Sequence, residues 1–301
     1  MQGVIAAAPT PIDQNLNPIK ELFLEHSKWA LANGCDGLNI LGSTGEANSF
    51  DLKTRQRVML HAIEDLPKNR LMVGTAAPSL QETIYLTEYA DELGYEIALV
   101  LPPYYYSPVS DEGLLLWYKT LHHALGERPI KIYFYNYPQM TGIVIPVDVV
   151  SELVNYAPKR FSGIKDSSGD LNYCRAIAAV NREIKIFPSS ETTLGNAVTD
   201  GFAGCISATV NVTASLAGKI WAQREAPPSD LRAEVLRLRD ILAGPTLIAN
   251  VKSLIANRTK DTRWLATLPP IEPLKKTNIS RLKIALENKQ EPRMHGQVLS
   301  E

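Results

Sequence analysis

Hydrophobic residues along the chain fall into two alternating kinds of run. Short apolar stretches recur at 3–8 (GVIAAA), 37–42 (GLNILG), 71–76 (LMVGTA), 96–101 (EIALVL), 131–136 (KIYFYN), 161–165 (FSGIK), 185–188 (KIFP) and 204–208 (GCISA). Most are near-continuous rather than alternating, which predicts parallel strands covered on both faces. Amphipathic stretches lie between them. Residues 18–33 place Leu22, His26, Trp29 and Ala30 on one stripe, with Gly34 as a stop. Ser79 and Glu82 form a capping box for a helix over 79–93, which Gly94 ends. Ser110 opens a helix over 110–125, and Pro146 opens another over 146–156. Eight β-then-α units within about 220 residues predict a (β/α)8 TIM barrel. A doubly wound open sheet is the runner-up, and no G-x-G-x-x-G follows the first strand to favour it.

The strand pattern stops after residue 220. Residues 224–229 (REAPPS) read as a linker, and helical patterns follow at about 230–243, 245–258 and 275–288. The expected organisation is a barrel over 1–220 carrying the active site and C-terminal helices over 221–301 packed on it. The polar residues from about 289 onward read as a mobile tail.

Composition narrows the partners. The chain has 301 residues, a net charge of -1 and interspersed charges of both signs. Nothing in that balance suggests a nucleic acid or a membrane surface. Cys35, Cys174 and Cys205 are scattered and odd in number, as free thiols in a reducing compartment would be. The start MQGVIAAAPTPID lacks the basic segment of a signal peptide, and no apolar run is long enough to span a bilayer. A cytoplasmic protein is expected. The five histidines form no H-E-x-x-H, so neither a metal nor a cofactor is expected, and no Ser-His-Asp set assembles at strand ends.

In such a barrel, chemistry sits at the C-terminal ends of the strands. Lys131 and Lys185 each open a strand and fall at the opposite face, whereas Lys165 closes one, in FSGIKDSSGD. A salt-bridge partner is the plain alternative to a reactive amine there. The stretch LGSTGEA after the second strand offers Ser43, Thr44 and glycine-flanked amides, suited to a carboxylate, though a tight turn would look the same. LPPYYYSP carries Tyr104, Tyr105 and Tyr106, which suit an interface equally well. Tyr135 shares a face with Tyr133 and could move protons beside a lysine on the next strand, or serve only as a core phenol. Together these groups describe one chemistry. A neutral amine attacks the ketone of a 2-oxo acid, loses water and leaves an iminium that eases C–C or C–O cleavage nearby.

The ordered motifs G-S-T-G-E, P-P-Y-Y, Y-N-Y-P-x-x-T-G and G-I-K-D-S-S-G-D resemble those of the dihydrodipicolinate synthase / N-acetylneuraminate lyase family over about residues 3–288. These are class I Schiff-base aldolases and lyases. The resemblance implies that Lys165 is the Schiff-base lysine and Tyr135 the proton-relaying phenol. It implies that Ser43 and Thr44 hold the pyruvyl carboxylate, with Thr44 also in the relay. Tyr105 would complete the relay in a neighbouring subunit's site, Ile206 would line the pyruvyl group, and the assembly would be a tetramer built as a dimer of dimers. Two departures follow. Met140 stands where the synthases place an arginine for the second substrate's carboxylate, and a thioether cannot donate a hydrogen bond. Glu191 and Thr192 stand where sialate lyases carry an acidic pair, with Ala208 in place of a serine. Glu191 and Thr192 would then bind a shorter polyol chain, such as that of a 2-keto-3-deoxy sugar acid. The alternatives are 4-hydroxy-tetrahydrodipicolinate synthesis and a binding barrel without turnover.

Overall fold

A computed structural model describes residues 1–287. The tail expected from about 289 lies outside the described residues. Eight parallel strands form the sheet: β1 (Gly3–Ala7), β2 (Gly37–Ile40), β3 (Leu71–Gly74), β4 (Ile97–Val100), β5 (Lys131–Asn136), β6 (Phe161–Asp166), β7 (Lys185–Pro188) and β8 (Gly204–Ser207). From β1 to β7 each strand pairs with the next, and β1 pairs with β8. Between β7 and β8 the ring is held by Ala203 N donating to Ile186 O at 2.8 Å. A sequential ring is a TIM barrel and excludes the doubly wound sheet.

The helices are α1 (Lys20–Ala32), α2 (Leu52–Asp65), α3 (Leu80–Leu93), α4 (Asp111–Leu125), α5 (Pro138–Thr141) and α6 (Val147–Tyr156). After them come α7 (Leu171–Val180), α8 (Ala197–Asp200), α9 (Val210–Ala222), α10 (Ser229–Leu242), α11 (Leu247–Thr259) and α12 (Lys276–Glu287). The sequence-predicted caps form: Ser79 Oγ accepts from Glu82 N at 3.3 Å, and Ser110 Oγ from Gly113 N at 3.1 Å. Helices α2, α7 and α9 fill gaps in which the hydrophobic pattern sets no boundary. Asp51 caps α2 through Thr54 N (2.7 Å), and Asp170 caps α7 through Asn172 N (2.8 Å). Residues of β1 to β4 are buried throughout, because the barrel interior takes one face and the helices take the other. No helix among the described residues is long and apolar enough to cross a membrane.

The C-terminal helices are fastened to the barrel by a second apolar cluster. Leu22 of α1 packs with Val251, Ile255 and Ala256 of α11 and with Trp264. Beside it His26 is wholly enclosed. Its Nε2 bonds Asn211 Oδ1 at 2.9 Å, and its Nδ1 lies 2.8 Å from Arg258 Nη2. A guanidinium can only donate, so Nδ1 accepts, Nε2 carries the proton and the ring is neutral. Burial pushes His26 down to about 4, against the Asn211 bond, which raises it. Between that value and the ordinary one near 6.5, the unfolded chain binds the extra proton. This contribution is therefore full above about pH 6.5 and is lost as the pH falls toward 4. Its size is on the order of 3 kcal/mol. Urea unfolding between pH 7.5 and 4.5 should show a steeper loss in the native chain than in His26→Gln. Equal slopes would remove His26 from the acid response.

Candidate active site

β2 ends at Ile40 rather than at residue 42 because the chain turns at once. Leu41 (φ 52°) and Glu46 (φ 57°) both take left-handed conformations, which cost free energy in a non-glycine residue. The turn between them closes through Gly45 N to Gly42 O (3.0 Å) and Glu46 N to Ser43 O (3.0 Å). Thr10 Oγ1 donates to Gly45 O at 2.9 Å. Among the described residues, the amides of Ser43 and Thr44 make no hydrogen bond within the protein. Two N–H groups and two hydroxyls therefore meet at one strand end, the donor set that a carboxylate needs.

Glu46 anchors this strained turn. Its fully buried carboxylate accepts from Lys252 Nζ of α11 and from Leu268 N. Lys252, also fully buried, donates a second bond to Ala266 O at 2.8 Å. Burial holds the Lys252 ammonium below its ordinary value, and Glu46 opposes that shift.

Three strands away, the register of β5 against β6 sets Tyr135 opposite Lys165. Lys165 Nζ donates to Tyr135 Oη at 3.1 Å, and Ser43 Oγ stands 3.4 Å from the same phenol. Both Lys165 and Tyr135 are buried. One layer deeper, Gly163 makes room for the ring of Tyr133, which lies 2.6 Å from where a Cβ would be. The rest of the KDSSGD motif is architecture. Asp166 Oδ1 accepts from Asn136 Nδ2 (2.7 Å), and its Oδ2 accepts from Ser168 Oγ (2.8 Å), which ties the turns after β5 and β6 together.

Lys165, Tyr135, Ser43, Thr44 and Ile206 open on one cavity of about 550 Å³, whose wall also holds Met140. Met140 is 65% exposed. Three of the expected residues are placed as follows. Ser43, not Thr44, stands at hydrogen-bonding distance from Tyr135, because the turn aims the first hydroxyl across the barrel. Glu191 is not on the cavity wall. Its carboxylate is fully buried and accepts from Ser207 Oγ (2.7 Å), Thr209 Oγ1 (2.7 Å), Thr213 Oγ1 (2.7 Å) and Arg239 Nη1 (3.3 Å). Three donors converge on Oε2 and one on Oε1, and the buried carboxylate faces these partners rather than the cavity. Thr192 is likewise off the wall, with its hydroxyl 2.7 Å from Ser190 Oγ. Tyr105 is 76% exposed and stacks edge-to-face on Tyr106, away from the cavity of its own chain.

The wall also holds residues that the sequence pattern does not single out: Tyr137, Gln139, Ser167, Ser189 and Arg239. Tyr137 stacks on Tyr135 with centroids 5.7 Å apart, and burial pushes its phenol up. The phase of Tyr137 on from Tyr135 was a usable sequence signal. Arg239 had none, since it lies in LRLRD on a helix whose charges read as a solvated face.

The profile of the dihydrodipicolinate synthetase family matches residues 1–289. The chain belongs to that family. It is 32% identical to the 4-hydroxy-tetrahydrodipicolinate synthase of Rhodospirillum centenum over 292 residues, covering 90% of this chain and 94% of the relative. The fold is shared with YagE, a prophage protein of this family from E. coli K12 solved in complex with pyruvate. The TM-score is 0.85 at 22% identity, with 95% and 98% of the two chains covered. KD(P)GA from T. tenax gives a TM-score of 0.83 at 21% identity, with 95% and 98% covered. The family's members are pyruvate-dependent class I lyases, and this chain is an enzyme of that kind.

Proposed function

We propose that Lys165 forms an imine with the ketone of a pyruvate-type 2-oxo acid, and that the substrate is a 2-keto-3-deoxy sugar acid, cleaved by retro-aldol reaction or dehydrated. The observation that carries this reading is the 3.1 Å contact between Lys165 Nζ and Tyr135 Oη beside the carboxylate cradle. Ser43 and Thr44 hold the 2-oxo carboxylate, which places the ketone carbon within reach of the amine. Attack gives a carbinolamine, and loss of water gives the iminium. In cleavage, a base takes the proton of the C4 hydroxyl, the C3–C4 bond breaks, and its electrons pass into the iminium to form an enamine. Protonation and hydrolysis release pyruvate. In dehydration, a base instead takes a C3 proton from the iminium, and the resulting enamine, with C4 still attached, expels the C4 hydroxyl, which takes up a proton and leaves as water. Tyr135 is the group placed to pass these protons, with Ser43 as its next partner.

The neutral donors Tyr137, Gln139, Ser167 and Ser189 take the place once expected of Glu191 and Thr192 in holding a hydroxylated chain. Borohydride reduction in the presence of pyruvate should add one pyruvyl residue at Lys165, read by peptide mass. A panel of 2-keto-3-deoxy acids with pyruvate detection then separates cleavage from dehydration. No adduct with any 2-oxo acid would sink the mechanism. The same reading includes a homo-oligomer, a tetramer as a dimer of dimers, in which the exposed Tyr105 enters a neighbour's site.

The name of the R. centenum relative favours a second reading, condensation of pyruvate with aspartate semialdehyde. Met140 argues against it, because a thioether there gives the semialdehyde carboxylate no cation on the β5 side of the wall. Activity with this pair should be weak, and Met140→Arg should raise its kcat/KM about tenfold. Native activity that matches the best 2-keto-3-deoxy acid would reverse the preference.

A further inference from the structure

Lys165 reaches the cavity only because β6 breaks its own alternation. Phe161 and Gly163 stand two residues apart, which in a regular strand puts them on one face. Here they lie on opposite faces. Phe161 stacks on Phe134 with ring centroids 5.3 Å apart and meets Tyr118 of α4 edge-on, so it faces the helix layer. Gly163 faces the barrel interior, where the ring of Tyr133 lies 2.6 Å from the position of a Cβ. The register gives the cause. Ile132 pairs with Phe161 and Tyr133 with Gly163, which leaves Ser162 as an extra residue, a β-bulge. Ser162 Oγ is buried and makes no hydrogen bond among the described residues, so this residue contributes backbone length rather than a side-chain bond. Without the bulge, the pairing of Ile132 with Phe161 would set Ile164 opposite Tyr135 and turn Lys165 toward the helices.

A bulged register competes with the regular one, and the last residues of the two strands oppose the slip. Asn136 and Asp166 are register partners, and each directly follows a member of the reacting pair, Tyr135 and Lys165. Both side chains are buried. Asn136 Nδ2 donates to Asp166 Oδ1 at 2.7 Å, and Asn136 Oδ1 accepts from Ile145 N at 3.0 Å. Asp166 Oδ2 accepts from Ser168 Oγ (2.8 Å) and Ser168 N (3.2 Å). Slipping β6 by one residue would part Asn136 from Asp166 and leave a buried carboxylate oxygen without its donor, which costs free energy.

We propose that Asn136 and Asp166 are positioning residues that lock β6 in its bulged register, which aims the Lys165 amine into the cavity and holds it at the Tyr135 phenol. The proposal rests on the Schiff-base reading of Lys165. Neither residue lines the cavity, so each acts through the strand that it ends rather than on substrate. The Ser43–Thr44 cradle belongs to the turn after β2, outside this lock. Reaction rate and substrate affinity should therefore respond separately.

The test exchanges the two side chains. In Asn136→Asp, two carboxylates face each other. In Asp166→Asn, every orientation of the two amides sets one donor against another. The double variant Asn136→Asp/Asp166→Asn keeps all four bonds: residue 166 then donates to residue 136 and still accepts from Ser168, and residue 136 still accepts from Ile145 N. Borohydride trapping of pyruvate is measured as a saturating rate and a half-saturating concentration, with thermal melts of each variant. We expect each single variant to lower the saturating rate at least about tenfold and to keep half-saturation within about twofold of native. The double variant should recover the rate to within about threefold of native. Single variants that melt lower yet trap pyruvate at the native rate would overturn the proposal, because a lock serving stability alone behaves that way. A folded double variant as slow as the slower single would also overturn it. Ser168→Ala removes only one donor to Asp166 and decides the matter if a single variant does not fold. It should lower the saturating rate about threefold, and a native rate would overturn the lock. Absence of any adduct in the native chain would overturn the Schiff-base reading and this proposal with it, whereas each of the other adverse results leaves that reading standing.

Discussion

Replacing Lys165 with methionine should lower kcat by at least about a thousandfold and eliminate the borohydride-trapped pyruvyl adduct. Methionine matches the length of the side chain in a site where Lys165 is only 4% exposed, so packing is retained. What goes is the amine, and with it, in the proposed mechanism, the iminium into which electrons flow when the C–C or C–O bond breaks. Lys165→Arg is the sharper control. It keeps the charge beside Tyr135 and the cradle but offers no nucleophile at neutral pH. Both variants should lose turnover while melting near the native temperature. Trapped adduct at another lysine, with activity retained in Lys165→Arg, would show that Lys165 serves as a charge.

Lys252→Met should destabilise the chain by about 3–5 kcal/mol, the range for leaving one member of a buried ion pair uncompensated. Both Lys252 and Glu46 have fully buried side chains, so water cannot replace the lost partner. The stranded Glu46 also sits at a left-handed position in the turn that carries Ser43 and Thr44. The same variant should therefore raise the half-saturating pyruvate concentration in trapping experiments as well as lower the urea midpoint. The double variant Glu46→Gln/Lys252→Met removes both charges and should recover part of the loss, since the pair's own desolvation cost disappears with it. A midpoint shift worth less than about 1 kcal/mol in Lys252→Met would show that the pair is solvated in the folded chain.

The barrel was legible because its determinants are local. Eight apolar runs of strand length, separated by capped amphipathic helices, leave few ways to cover both faces of each strand. The limits were less legible. β2 loses two residues to the left-handed Leu41, a conformation that no apolar pattern signals. Lys165 and Tyr135 were legible for the same reason as the strands: each lies at the end of its run, and adjacent parallel strands put the two side by side. The surroundings of Glu191, and Arg239 itself, were not legible for one shared reason. A carboxylate after β7 looks available for substrate until α10, almost fifty residues later, lowers a guanidinium beside it and three hydroxyls close around it.

The sequence by itself determined the strand count, the order of the ring, the strand ends that carry the amine, the phenol and the hydroxyl pair, and hence the type of chemistry. Periodicity states which face of an element is buried, and strand direction states which end faces the mouth. Only the tertiary structure decided what packs against those faces. It sank Glu191 beneath the wall, set Ser43 rather than Thr44 against Tyr135, locked the cradle with Lys252 from 206 residues away, and brought Arg239 over the cavity. These are contacts between elements remote in the chain. Their partners follow from the angles at which α10 and α11 dock on the barrel, and no local pattern of residues encodes those angles.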